Sequence, residues 1–206
     1  MPAVLCLLLA YLLGSVSGAL VLGRWQGVDI RTLGSGNAGG TNALRTRGWR
    51  FALGVVLIDV GKGVLAGLLA RALGDAGPAW LAPACVLAAV AGHVWPLFHG
   101  FRGGKGAATL IGGLAAVWPA ALLPFLGTWL VTLGATGFVG LSTVLGALSL
   151  PIFALLSPWP VPQAALPFAL LAASFLLFTH RSNLARLRAG TEHRFERARL
   201  LARGRR

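Results

Sequence analysis

The chain has 206 residues, of which 56% are hydrophobic and 11% charged, with a formal net charge of +13. A soluble domain carries about a quarter of charged residues, so this composition excludes one, and the apolar fraction excludes disorder. Cys6 and Cys85 both sit in apolar runs, so no disulfide framework and no paired-cysteine metal site is expected. No cofactor is expected either.

The first predicted element is a spanning helix over residues 3–23. It has no Lys or Arg before its apolar run, so it lacks the basic start of a signal peptide and reads as a retained helix. Residues 24–50 follow with five Arg and one Asp. A second span covers 51–73 despite Asp59 and Lys62, and a third covers 80–98. Arg102 and Lys105 come next, then 75 residues (106–180) without a charged side chain. The last 26 residues hold nine Arg and two Glu.

Basic clusters flanking long uncharged spans are the pattern of a positive-inside membrane protein rather than of a nucleic-acid binder. With all three clusters cytoplasmic, 106–180 must cross an even number of times. Two helices would be far too long, whereas four of about 19 residues each fit a bilayer. Breaks are expected at Trp118–Pro124, Gly134–Gly140 and Ser157–Pro162, where proline and glycine interrupt helices. The expected fold class is all-α integral membrane: seven transmembrane helices, N-terminus outside and C-terminus cytoplasmic. Residues 1–206 form one multi-pass domain, with 181–206 a basic cytoplasmic segment. Five helices with a re-entrant stretch is the alternative.

Three polar segments fall on the same expected side. Gly34-Ser-Gly-Asn-Ala-Gly-Gly-Thr-Asn42 can turn backbone N–H groups inward around an anion, and Arg45 can clamp a phosphate or carboxylate. Its G-x-G-x-x-G at 34–39 follows a membrane helix rather than a strand, so a dinucleotide site is not supported. His99-Gly-Phe-Arg-Gly-Gly-Lys-Gly-Ala-Ala-Thr109 leads into a helix, aiming N–H groups and the helix dipole at its ligand beside Lys105. It is not a nucleotide-hydrolysing loop, because His99 and Gly106 stand where glycine and a hydroxyl residue belong. The third segment is His180-Arg-Ser-Asn-Leu-Ala-Arg-Leu-Arg-Ala-Gly-Thr-Glu192. Its arginines and those of the far tail suit anionic headgroups, but Asn183 and Glu192 do not. Together the three loops point to a phosphorylated, membrane-proximal substrate.

Asp59 and Lys62 lie at i, i+3 and can pair on one helix face. A structural anchor and a functional pair fit this spacing equally well. His93 and His99 have no acidic partner at ligand spacing, so no metal is expected.

The chain resembles the bacterial acyl-phosphate:glycerol-3-phosphate acyltransferases over essentially its whole length. The matching motifs are GSGNAGGTNALR (34–45), LIDVGKG (57–63), GHVWPLFHGFRGGKGAAT (92–109) and HRSNLARLRAGTE (180–192). The resemblance implies a seven-helix enzyme of the bacterial inner membrane, with its active site facing the cytosol. It would move a fatty acyl group from acyl phosphate to the 1-hydroxyl of glycerol 3-phosphate, giving lysophosphatidic acid and phosphate. Implied partners are these two substrates, membrane lipids and the enzyme that supplies acyl phosphate, with no nucleic acid.

Implied catalytic residues are Ser35, Arg45, Lys105, Thr143, His180, Asn183 and Glu192. Implied substrate-binding residues are Gly34, Gly36, Asn37, Thr41, Asn42, Arg102, Gly103, Gly104, Gly106 and Ser142. The family's hydroxyl-bearing stretch, usually Tyr-x-Ser-Leu-x-Ser, reads Phe138-Val-Gly-Leu-Ser-Thr143 here, so the hydroxyl at Gly140 is lost and the one at Thr143 is kept. Gly40 replaces the commoner Ala, and Arg102 the commoner Lys.

A thioester donor commonly requires a positioned general base. The residues five beyond His93, His99, His180 and His193 are Phe98, Gly104, Ala185 and Ala198, so the His-x4-Asp pairing of soluble-facing acyltransferases is absent. A mixed anhydride needs less help, because its leaving group is phosphate. A transporter for a phosphorylated anion is the competing class, but the halves show no repeat and the polar residues gather at one face rather than at the midplane.

Overall fold

The computed structural model of the chain describes residues 2–72 and 78–195. They form ten α-helices joined by loops and three short 3-10 turns, and among the described residues there is no strand. The tail beyond Phe195, read from the sequence as a headgroup contact, lies outside the described residues. The chain divides into two compact units, Met1–Pro119 and Ala120–Arg206.

The first unit opens with a departure from expectation. The span predicted over 3–23 is two helices, α1 (Pro2–Gly14) and α2 (Gly18–Trp25), bent by 45° at Ser15–Ser17. Ser15 Oγ bonds back to the Tyr11 carbonyl at 3.0 Å, one of the local alternatives that weaken a helix at serine. A break inside an apolar element frees backbone groups that lipid cannot satisfy. Here Lys62 Nζ donates to the Val16 carbonyl at 2.8 Å, and the Gly18 N–H donates to Asp59 Oδ1 at 3.1 Å. The two side chains, 4% and 1% exposed, are themselves paired at 2.9 Å. Removing one partner of such a buried pair costs about 3–5 kcal/mol. The Asp59–Lys62 pair is therefore structural in its first duty, since it replaces the helix bonds that the break removes.

The loop expected over 34–42 runs into a helix, α3 (Gly40–Arg47), which carries Arg45. Helix α4 (Trp49–Ala72) packs on α5 (Leu81–Val94) and α6 (Ala107–Val117), while α1 packs on α5. The α4–α6 crossing is close because Gly63 faces the Thr109 carbonyl and Gly112 faces the Val60 carbonyl, where any Cβ would collide.

In the second unit, α7 (Leu122–Thr136), α8 (Val139–Leu156) and α9 (Ala165–Thr179) pack in sequence, and α10 (Arg181–Arg188) leaves α9 at a 55° bend. The helix ends coincide with the expected breaks. Gly137 adopts φ +76° between α7 and α8, and the proline-rich stretch 157–164 separates α8 from α9.

Leu5, Leu8, Leu57, Leu65, Leu123, Val131, Leu155 and Leu156 are exposed on these helices, as suits a hydrocarbon solvent. Among the described residues, four helices are long and apolar enough to span a bilayer, or up to six when each bent pair counts as one span. At 11 residues, α6 is about 16 Å long and falls short of that measure.

Candidate active site

The first polar loop is built from the inside out. Asp29 accepts the Arg31 N–H at 2.9 Å and starts a 3-10 turn, Ile30–Thr32. Gly34 then turns with φ +57°, and a Cβ there would strike Asn42 Oδ1. Asn42 is buried, and its amide joins three parts of the loop: Nδ2 donates to the Ile30 and Leu33 carbonyls, and Oδ1 accepts from the Ser35 N–H.

Gly36 also has φ +72°, Ser35 is exposed, and Asn37 is half-buried. Helix α3 starts after Gly39 with no side-chain cap, so its first-turn N–H groups are not claimed by a capping side chain. Thr41 and Arg45, both half-buried, share one face of α3 at i, i+4.

The second loop repeats the device. The Gly103 and Gly104 N–H groups donate to the Val94 and His93 carbonyls at 3.1 Å each, folding the loop back on the end of α5. Lys105 is half-buried, and Gly106, at φ +88°, opens α6 without a side-chain cap. The left-handed conformation excludes most other residues there. Arg102 is exposed, as is Phe101, the one non-glycine residue with positive φ among those described, at +58°.

The two loops are clasped by Arg31. Its Nη1 donates to the carbonyls of His99 at 2.9 Å and Arg102 at 3.2 Å, while its other nitrogens grip Asp29. The guanidinium beside Asp29 holds that carboxyl below the usual aspartate range, and Asp29 in turn raises Arg31. The first unit thus carries two glycine-entered helix starts, each with a nearby cation. Uncapped N–H groups, a helix dipole and a cation together suit a phosphate.

The second unit carries the remaining candidates. Asn183 Nδ2 donates to Glu192 Oε1, and Arg186 Nε donates to Glu192 Oε2 at 2.7 Å. Gly140 makes room for this arrangement, since a Cβ there would lie 2.7 Å from the Asn183 Cβ. His180 is buried, with Nδ1 2.9 Å from the Leu176 carbonyl. A carbonyl only accepts, so Nδ1 carries a proton. Ser142 Oγ donates to the Phe138 carbonyl at 2.8 Å. Thr143 Oγ1 donates to the Val139 carbonyl at 2.9 Å and accepts from Trp129 Nε1 at 3.2 Å.

The candidates therefore fall into two groups. Gly34, Ser35, Gly36, Asn37, Thr41, Asn42, Arg45, Arg102, Gly103, Gly104, Lys105 and Gly106 belong to the first unit. Ser142, Thr143, His180, Asn183 and Glu192 belong to the second. Sequence reasoning missed the Arg31 clasp, the Trp129 partner of Thr143 and the place of His93 beside Lys62. Only His93 had a signal, as an ionisable residue inside a predicted span.

The sequence model of the glycerol-3-phosphate acyltransferase family matches residues 4–190. The chain belongs to that family. Among relatives of this acyltransferase is a glycerol-3-phosphate acyltransferase of Pseudomonas paraeruginosa, 44% identical over 192 residues, covering 91% of this chain and 97% of the relative. Another, from Parasynechococcus marenigrum, is 43% identical over 194 residues, covering 93% and 89%.

The acyltransferase also matches crystal structures of PlsY (YgiH), an integral membrane glycerol 3-phosphate acyltransferase. The glycerol 3-phosphate form gives a TM-score of 0.85 at 34% identity, covering 95% of this chain and 96% of that one. The lysophosphatidic acid form gives 0.83 at 33% identity, covering 94% and 95%. The acyltransferase is accordingly an integral membrane protein. Both glycine loops lie inside the family match, and Glu192 lies two residues beyond it.

Proposed function

We propose that this acyltransferase transfers a fatty acyl group from acyl phosphate to the 1-hydroxyl of glycerol 3-phosphate, releasing lysophosphatidic acid and phosphate. The observation that carries the reading is the pair of glycine-entered helix starts, α3 with Arg45 and α6 with Lys105. Two phosphate-bearing substrates require two such anion sites.

The acceptor oxygen attacks the acyl carbonyl carbon, the bond from that carbon to the phosphate oxygen breaks, and the donor phosphate takes the hydroxyl proton. The first unit's part is to hold the phosphates and stabilise charge as it develops. Ser35 and the substrate-binding residues of the two loops line this region, except Asn42, which supports the first loop from beneath. Thr143, His180, Asn183 and Glu192 are assigned as catalytic on the resemblance, with Ser142 beside them as a substrate contact.

In the same reading residues 1–206 are one domain of the bacterial inner membrane that crosses seven times, N-terminus outside and C-terminus cytoplasmic. The crossings are the bent pair α1–α2, then α4, α5, α6, α7, α8 and α9, with the short α6 counted on the uncharged run 106–180 that contains it rather than on its length. The basic clusters support a cytosolic face for the loops, and exposed Trp25 and Trp49 beside Arg24 and Arg50 suit a membrane–water interface there. Acyl phosphate is a reactive anhydride, so a second enzyme must supply it.

Purified protein given labelled glycerol 3-phosphate with acyl phosphate, acyl-CoA or acyl-carrier protein at equal concentration tests the donor. Acyl phosphate should be used and the thioesters should not. Equal turnover with a thioester would sink the donor assignment.

A further inference from the structure

Three donors on Lys62 Nζ meet three acceptors: the Val16 carbonyl at 2.8 Å, Asp59 Oδ1 at 2.9 Å and His93 Nδ1 at 2.8 Å. With Lys62 as an ammonium, which has no lone pair, His93 Nδ1, which lies 3.4 Å from Asp59 Oδ1, accepts, and the ring proton sits on Nε2. That nitrogen faces the second polar loop. A Cβ built on Gly104 would collide with His93 Nε2, and the same Cβ would lie 2.8 Å from the Ala38 carbonyl of the first loop. The His93 carbonyl also accepts the Gly104 N–H at 3.1 Å. One residue therefore bonds Gly104 through its backbone and packs its ring against it, and Lys105 is the next residue along the chain.

We propose that His93, oriented by Lys62 and Asp59, is a positioning residue for acyl transfer. Its ring sets the spacing between the Ala38 and Gly104 backbones and hence the placement of Lys105 relative to the first anion loop. The helix break at Ser15–Ser17, the buried charges and the two phosphate loops then form one mechanical chain inside the first unit. The inference rests on the functional reading above, in which these loops hold phosphate.

Asparagine separates this role from simple satisfaction of Lys62. The His93→Asn amide oxygen can stand where Nδ1 accepts from Lys62, but the side chain ends short of Gly104. The test measures kcat and KM for both substrates, together with the thermal unfolding midpoint in detergent. It adds a double-mutant cycle with Lys105→Ala and the affinity for inorganic phosphate.

His93→Asn should keep a near-normal midpoint and lose about tenfold or more in kcat/KM, as expected for a displaced catalytic group. The double variant should fall within about threefold of Lys105→Ala alone, because both changes act through one group. His93→Gln, whose amide nitrogen reaches the Nε2 position, should recover part of the loss, and it carries the comparison if His93→Asn does not fold. Wild-type kinetics in His93→Asn, or losses that multiply with those of Lys105→Ala, would overturn the inference. Failure of the functional reading is seen separately, as absence of acyl transfer by the unmodified protein. In that case phosphate affinity decides: an about tenfold weakening in His93→Asn upholds the role of His93, and unchanged affinity refutes it.

Discussion

Asn42 holds Ser35 in place: the Asn42 Oδ1 accepts the Ser35 N–H at 3.0 Å across a loop that its own Nδ2 closes onto Ile30 and Leu33. With 1% exposure, this amide shapes the anion loop from beneath rather than from its open side. Ser35, by contrast, is exposed at the loop surface. One residue of the motif thus braces the loop that its neighbours form.

Asn42→Asp should therefore act as a stability mutation. It removes two donors and sets a buried carboxylate against two carbonyl oxygens, a change worth about 3 kcal/mol. Thermal unfolding in detergent without substrate should show a clearly lowered midpoint. An unchanged midpoint with weakened phosphate affinity would instead place Asn42 in contact with substrate.

Arg45→Ala and Lys105→Ala should each lower turnover by about a hundredfold, or about 3 kcal/mol of transition-state stabilisation. Neither is expected to change the unfolding midpoint appreciably, since both residues are half-buried at loop or helix surfaces. Steady-state kinetics on folded variants checks this, and a near-normal rate in either would remove that residue from the chemistry.

The Arg31 clasp makes a prediction about acid. Hydrogen bonding from Arg31 lowers the Asp29 carboxyl below its ordinary value. A lowered folded value means that the contribution is fully present above the unfolded aspartate range of about 3.9 and is lost as pH falls through the folded one. The pair is partly exposed, so the effect is small. The difference in unfolding midpoint between wild type and Asp29→Asn should stay constant from pH 6 to 9 and shrink as pH falls below about 4. A difference that grows between pH 6 and 9 would contradict the assignment.

Thr143 gives a prediction that separates hydroxyl from shape. Thr143→Ser should stay active, whereas Thr143→Val should lose most activity, because valine keeps the volume but leaves Trp129 Nε1 without its acceptor. Trp129→Phe should lower activity too, and less than additively with Thr143→Val. A fully active valine variant would show that the hydroxyl is dispensable.

The sequence alone determined the membrane class, the helix breaks after Val117, Thr136 and Leu156, and the glycine-rich loops that carry Arg45 and Lys105. These are local properties. Hydropathy, charge and the conformational limits of proline and glycine act over a few neighbouring residues and can be read without knowing what packs where. Only the tertiary structure decided that the first span breaks at Ser15–Ser17, because the break depends on Asp59, 41 residues from Gly18, and Lys62, 46 residues from Val16.

The same holds for His93, which reads from the sequence as an isolated imidazole and in the fold completes the coordination of Lys62. It holds for Arg31, whose partners His99 and Arg102 lie 68 and 71 residues away. Such contacts are set by how helices cross and where loops return. No periodicity within one segment records that geometry, because the energy that selects it belongs to two segments at once.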